Sequence, residues 1–438
     1  MALDTIRNWT VSMEQNLLAF RPLKRSKPSH DSITAIQDSS TSSSTRGRNP
    51  VHLPTEIILM ILEHIPKRTY SSQVTLWSVC LLNRHWYSAA ISRLYEQPYI
   101  DGKNFDPFVR TICPSINAHV RKSPLAELVQ ILDMSNLVHQ SSKSITARLL
   151  GRTKPNLRYF KAPQSSFALN CCAALAKCTN LKVLDLSLVS ESPSFHSLSH
   201  VLSSLHGLET FCFPRSSPQH TNGFRIEHFK WPPKLKDLVI TGGIGDWFCY
   251  GITREPCGIP DTITKLTVEH CPHVTIHGFE SLLQKLGPQL RYLTVAHMPA
   301  FSSRSLDPLL AWCPKLWMLS VSADYVSMAF TVIDNLLEDN PELTLPHPIT
   351  WLEITSSGHP NIDEDKLGPL DLDAGVEEGL LTNLRRVRVD DTLGWTSDDM
   401  MDEVEELTKA MQDASVRLEE PESSKDLIGV YTFSPSYY

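Results

Sequence analysis

No stretch of the 438-residue chain approaches the roughly 18 to 20 consecutive apolar residues that a membrane span requires. Its first residues carry Asp4 and Glu14, where a signal or transit peptide is basic or neutral. No membrane partner is expected, and an intracellular location follows, cytoplasmic and/or nuclear. The ten cysteines include no CxxC pair and no regular spacing, which excludes a disulfide framework and predicts reduced thiols. Cys257, Cys271, His273 and His277 lie close in sequence, but their spacing fits no zinc ligand frame, so the cysteines read as small buried hydrophobes. A basic stripe with interleaved aromatics is missing, and a nucleic-acid groove with it. So are a GxSxG elbow, an HExxH pair and a phosphate-cradling glycine loop. The nearest approach, "GGIGD" at 242 to 246, leads into Trp247 and Phe248 and reads as a turn-rich insertion rather than the start of a helix. No catalytic group, metal or cofactor is expected.

What the chain does have is a period. The pattern apolar-x-x-apolar-x-apolar recurs as "VQILDM" (Val129), "LRYFKA" (Leu157), "LKVLDL" (Leu181), "LETFCF" (Leu208), "LKDLVI" (Leu235), "ITKLTV" (Ile263), "LRYLTV" (Leu290), "LWMLSV" (Leu316), "ITWLEI" (Ile349) and "LRRVRV" (Leu384). Successive starts are 28, 24, 27, 27, 28, 27, 26, 33 and 35 residues apart. In each unit the first, fourth and sixth positions of a short strand point inward, and the rest returns the chain along the opposite side. A single unit cannot cover its own apolar side, so neighbours must stack. Return helices are expected over 275–289 and 302–315. The segments around 214–233 and 241–261 are rich in Pro, Ser and Gly and are expected to be turns.

Two regions flank the repeats. Residues 1–49 are Ser, Thr and basic toward their end and read as a flexible tail, with a marginal amphipathic helix over 1–20. At the other end, residues 361–420 hold 18 acidic and 6 basic side chains, although the whole chain is only -7. There "SDDMMDEVEELTKAMQDASVRLEE" sets Met400, Val404, Leu407, Met411, Ala414 and Leu418 on one stripe with Ser397 as N-cap, the pattern of a helix that closes the stack.

The stretch after the tail poses a different problem. "LPTEIILMILEHIP" carries six apolar residues in a row, Ile57 to Leu62, on a helix whose first turn suits Pro54 and Glu56. One or two more helices follow through "LWSVCLLNRHWYSAAISRLYEQPYI". A bundle of about 45 residues has too little interior to hide every apolar side chain of such a helix.

Leu53, Pro54, Glu56, the apolar run closing with Ile65 and Pro66, and "NRHW" ending at Trp86 together resemble an F-box of fungal type. The chain departs from the family in having about six extra residues between Pro66 and Trp86, read as a longer loop around "KRTYSSQ", and in placing Asn83 where Cys or Ser is common. Residues 263–316 look like cysteine-containing leucine-rich repeats, with strand, Cys271, turn and helix in order. The resemblance implies an α/β architecture: a small helical F-box bundle (50–98), a leucine-rich-repeat solenoid (99–395) of parallel strands with helices and loops on the convex side, and an acidic capping helix and tail (396–438). It further implies a substrate-recruiting subunit of a cullin-type ubiquitin ligase, with no chemistry of its own. Leu53, Pro54, Ile57, Ile58, Ile61, Leu62, Ile65, Leu82 and Trp86 would meet a Skp-type adaptor, and the repeats would hold a protein substrate. An interaction scaffold unconnected with degradation is the alternative.

The outward strand positions give the candidate substrate surface. The third positions run Tyr159, Val183, Thr210, Asp237, Lys265, Tyr292, Met318, Trp351 and Arg386. Large residues gather late, and Tyr, Trp and Arg are enriched at binding hot spots. Tyr292, Met318, Trp351, Arg386 and Arg388 therefore form the expected ladder.

Overall fold

A computed structural model describes residues 53–115, 122–138, 142–217, 224–254, 257–356, 366–418 and 428–434. The expected tail over 1–49, with its helix over 1–20, lies outside them. The chain divides into two compact units: one is Met1–Pro66 with Val74–Arg93, and the other is Lys67–Gln73 with Leu94–Tyr438.

Helices α1 (Thr55–Glu63), α2 (Tyr70–Cys80) and α3 (Arg84–Glu96) carry the apolar segments of the first unit. Ile58 and Leu62, one turn apart on α1, meet Ala89 and Ala90 of α3, and Leu53, Ile65, Leu76, Val79, Cys80 and Trp86 pack around them. Asn83 caps α3: its Oδ1 accepts from the backbone N–H groups of His85 (2.9 Å) and Trp86 (3.0 Å), which the helix itself leaves unpaired. His85 Nε2–H donates to the Leu53 carbonyl at 3.1 Å and ties the start of α1 to α3.

The extra residues expected as a loop around "KRTYSSQ" instead lengthen a helix. Only Lys67 to Thr69 stay outside it, and α2 begins at Tyr70, where Thr69 Oγ1 accepts from Ser72 N–H at 3.2 Å. Lys67–Gln73 clusters with the second unit, in which Arg68 pairs with Asp133 and lies over the Tyr159 ring, 5.2 Å from its centroid.

The second unit is a repeat solenoid. Its strands are β1 (Ile131–Asp133), β2 (Tyr159–Lys161), β3 (Val183–Asp185), β4 (Thr210–Cys212), β5 (Asp237–Thr241), β6 (Lys265–Glu269), β7 (Tyr292–Ala296), β8 (Met318–Ser322), β9 (Trp351–Thr355), β10 (Arg386–Asp390) and β11 (Gly429–Phe433). They form one parallel sheet in sequence order. Parallel neighbours need a crossover, and helices supply most of them. α4 (Phe105–Ile112) precedes β1. The crossovers then hold α5 (Lys143–Thr153), α6 (Leu169–Leu175), α7 (Phe195–Ser204), α8 (Asp246–Thr253), α9 (Ile276–Leu286), α10 (Leu309–Trp312), α11 (Ile333–Asp339), α12 (Pro369–Glu377) and α13 (Met401–Arg417). Between β4 and β5 only the 3-10 turn Ile226–His228 is described.

The inward positions are buried as the period requires: Leu184, Leu238, Leu266, Leu319 and Val387 are all fully enclosed. Asparagines just before the strands add polar staples. Asn156 donates to the Glu127 carbonyl (2.6 Å), Asn180 to Pro155 (2.7 Å) and Asn383 to His347 (3.0 Å), each reaching back to the preceding coil.

Three expectations change. The segment after "GGIGD" is a helix, α8, because Phe248, Cys249 and Ile252 find a buried face while Trp247 stands edge-on to Phe195 at 5.3 Å. Its glycines serve close approach between coils. A Cβ on Gly242, which sits at φ +76°, would lie 1.7 Å from the Arg215 carbonyl oxygen, and one on Gly243 would lie 2.0 Å from that of Ser217. Of 302–315 only Leu309–Trp312 is helical, starting just after Pro308. Finally, α13 begins at Met401 with Met400 rather than Ser397 at its N-cap, and it does not end the stack. It crosses over to β11, which pairs with β10 in register from Arg386↔Gly429 to Asp390↔Phe433.

Candidate functional site

Two surfaces gather the residues singled out by the sequence. The first is on the helical unit. Its α1 has an inward stripe, Ile58 and Leu62, at 0% and 2% exposure. These two therefore shape the unit from within and offer no surface, which corrects their place among the adaptor contacts. Beside that stripe runs a second apolar one, Ile57, Met60 and Ile61, at 40%, 58% and 44% exposure. Positions i, i+3 and i+4 share a helix face, so these three form a continuous strip. Pro54 and Leu82 are also exposed, whereas Leu53, Ile65 and Trp86 are half-buried against the core.

The structure adds contributors that were not singled out. Val74, Trp77 and Leu81 are exposed and follow i, i+3, i+7 along α2 and its end. Their signal lay in "VTLWSVCLL", whose second apolar stripe a single core-facing reading overlooks. Each of these side chains remains roughly half in water, so covering it would recover about 1 kcal/mol. Exposed apolar patches of this kind mark interaction sites.

The second surface is the outward face of the sheet. Register places Tyr292, Met318, Trp351 and Arg386 side by side on β7, β8, β9 and β10, and Arg388 follows two residues on. All five expected ladder residues therefore share one face, and all are at least partly accessible. Trp317, outside the expected set, stands edge-on to Tyr292 at 5.5 Å. β11 supplies Tyr431 and Phe433, both unforeseen because the strand was. The Arg386 guanidinium lies 4.7 Å from the Trp351 ring centroid and 5.8 Å from that of Tyr431, one ring on each neighbouring strand. Arg388 lies 4.5 Å over Phe433 and pairs with Glu353 at 2.7 Å, while Ser320 Oγ donates to the other Glu353 oxygen at 3.2 Å.

Eight of the ten cysteines are buried, and Cys80 and Cys212 are partly so. Cys271 is buried, its Sγ–H facing the Glu269 (3.3 Å) and Ile240 (3.6 Å) carbonyls, and burial pushes its thiol up to about 12. Cys257 Sγ accepts from Trp231 Nε1–H at 3.4 Å. No cluster of three or more His, Cys, Asp or Glu suited to a metal occurs among the described residues. Nor, among them, is any helix long and apolar enough to cross a membrane.

No protein-family model matches the chain. Its curated relatives include F-box protein YDR306C of Saccharomyces cerevisiae, 32% identical over 337 residues, an alignment covering 76% of this chain and 66% of that protein. Protein pof5 of Schizosaccharomyces pombe is 28% identical over 364 residues, covering 82% of this chain and 96% of that protein. The chain thus spans just under two thirds of the first relative's length and nearly all of the second's. Of these two relatives, the first is named as an F-box protein. Among solved structures, a chain from the crystal structure of the Rad7 and Elc1 complex in yeast aligns with a TM-score of 0.45 and 14% identity, covering 76% of this chain and 88% of that one.

Proposed function

We propose that this chain is a substrate-recruiting subunit of a Skp-cullin-F-box type ubiquitin ligase, acting in the cytoplasm and/or nucleus. The helical unit seats on a Skp-type adaptor, which links it to a cullin, and the leucine-rich-repeat face holds a protein substrate. The observation that carries the reading is the pair of apolar stripes left in water on α1 and α2. Similarity to a protein named as an F-box protein supports a Skp-type adaptor as the partner that would cover them.

In this reading the adaptor contacts are Pro54, Ile57, Met60, Ile61, Trp77, Leu81 and Leu82, with Leu53, Ile65 and Trp86 at the margin. The substrate meets Tyr292, Met318, Trp351, Arg386 and Arg388. The chain performs no bond chemistry. It lowers the barrier to ubiquitin transfer by holding a substrate lysine near a conjugating enzyme carried elsewhere in the assembly.

Co-purification tests this directly. The full chain recovers a Skp-type adaptor, and Ile57→Asp with Ile61→Asp abolishes the recovery by placing two charges in the contact. The thermal unfolding midpoint of the variant stays near that of the parent, because both side chains are already exposed. Retention of the adaptor by a folded double variant would refute the assignment.

A further inference from the structure

Four cationic side chains stand on the outward face of the described strands: Lys161, Lys265, Arg386 and Arg388. Three are neutralised by a carboxylate on the next strand. Lys161 pairs with Asp185 at 3.0 Å, Lys265 with Asp237 at 3.2 Å and Arg388 with Glu353 at 2.7 Å. Arg386 breaks the rule. Among the described residues it has neither carboxylate partner nor hydrogen-bond acceptor, and only the rings of Trp351 and Tyr431 support it. The indole Nε1–H of that same Trp351 is enclosed and likewise finds no acceptor among the described residues. Two unmet donors thus belong to one guanidinium–indole stack, on a face whose other outward cations are all paired.

From this we infer that Arg386 is the anchor for a side-chain carboxylate in an unphosphorylated acidic-apolar peptide segment. The inference rests on the substrate-recruiting reading and gives the substrate's chemistry. A guanidinium poised over aromatic rings is pre-organised to present its planar fork to a carboxylate, and such charge-assisted pairs are the stronger hydrogen bonds. Charge decides between a carboxylate and a phosphate. With Arg388 already paired to Glu353, the local excess is a single positive charge, which matches a monoanion. A phosphate dianion would leave negative charge unmatched beside Glu353. The in-register row Tyr292, Met318 and Trp351 leads up to Arg386, so the same segment carries apolar side chains beside its carboxylate.

The test is peptide selection with the purified full chain, using a random dodecamer library that is N-acetylated, C-amidated and unphosphorylated. Selected peptides should carry Asp or Glu next to an aliphatic or aromatic residue. A selected sequence remade with Gln in place of the acid should bind about tenfold more weakly to the wild-type chain and equally to an Arg386→Gln chain. Arg386→Lys should recover part of the affinity, since the charge remains without the fork. Remaking the acid as phosphoserine should bring no gain. The inference is overturned by selection of no peptide or of peptides without an acid, by an equal Glu-to-Gln loss on Arg386→Gln, or by about tenfold tighter binding of the phosphoserine peptide. It is equally overturned if this face pairs two copies of the chain, seen as self-association that Arg386→Gln abolishes. The Glu-to-Gln comparison on the wild-type chain needs no variant to fold. Adaptor recovery from the same preparation separates the two readings: if it persists while selection fails, only the inference falls.

Discussion

Leu293 in β7 and Ile61 in α1 are large aliphatic side chains in regular secondary structure, yet one is 1% exposed and the other 44%. The difference lies in what each unit can supply as cover. In the solenoid each inward position of the strands between β1 and β11 has the next coil above it, the previous coil below it and crossover elements beside it, so the apolar side is closed by repetition. Among its described residues the helical unit has three short helices and no repeat. Its interior accommodates one stripe of α1, and the second stripe meets no cover among the unit's described residues. The solenoid's apolar residues thus serve its own stability. Those on the outer side of α1 and α2 do not, which is why they are the ones proposed to bind.

That contrast can be broken most severely inside the sheet. Leu319 of β8 is fully buried between coils. Truncation to Ala removes its packing and leaves a cavity that neighbouring strands can only partly close, at a cost of about 2 to 5 kcal/mol. A free energy of unfolding from urea denaturation that is lower by that amount is the expected result. A shift below about 1 kcal/mol would mean that the inward positions are not the source of the solenoid's stability.

A buried polar group gives the next effect, somewhat smaller and visible through pH. His347 is fully enclosed, with Nε2–H donating to the Cys313 carbonyl at 3.1 Å and Nδ1 accepting from Ile349 N–H at 3.3 Å. Both ring nitrogens are committed to the neutral form, and burial pushes the imidazole down to about 4. In the unfolded chain the ring titrates near 6.5. The folded state therefore binds the proton less readily. The stabilising effect is complete above about pH 6.5 and is lost as pH falls toward 4, by about 3 kcal/mol. Denaturation of the parent and of His347→Gln at pH 7.5 and 4.5 isolates this contribution, because the chain's carboxylates and other histidines titrate alike in both. An equal pH loss in the two chains would show that the ring does not carry it.

How far the two regions could be read in advance follows the same division. The repeat was legible because its spacing and inward positions obey one geometric requirement, and the predicted third positions from Tyr159 to Arg386 are the residues that the register aligns. β11 was hidden because Thr432 stands where the sixth position is apolar elsewhere, and because a 17-residue helix, α13, stretches the interval before it. The helix after Gly245 was hidden because glycines that permit close coil contact look, in sequence, like glycines that break structure. On α1 the apolar run was plain, but which half faces inward was not. A residue pattern that is apolar all round carries no phase, so Ile58 and Leu62 were indistinguishable from Ile57 and Ile61 until α3 was in place.

The smallest expected effect sharpens the contrast most. Replacing Ile57 and Ile61 together by Ser removes two large aliphatic side chains, the same chemistry that is costly at Leu319. Since both already stand about half in water and neither contributes to the Ile58, Leu62, Ala89 and Ala90 core, the stability of the chain should change by no more than about 0.5 kcal/mol. Ile58→Ser, one residue away, should cost several kcal/mol, because it places an unpartnered hydroxyl and a cavity in that core. Thermal melts of the three chains without adaptor make the comparison. If the Ile57 and Ile61 pair fell as far as Ile58→Ser, the outer stripe would be part of the unit's own packing, and the division between self-stabilising and partner-facing apolar residues would fail at the point where it was drawn.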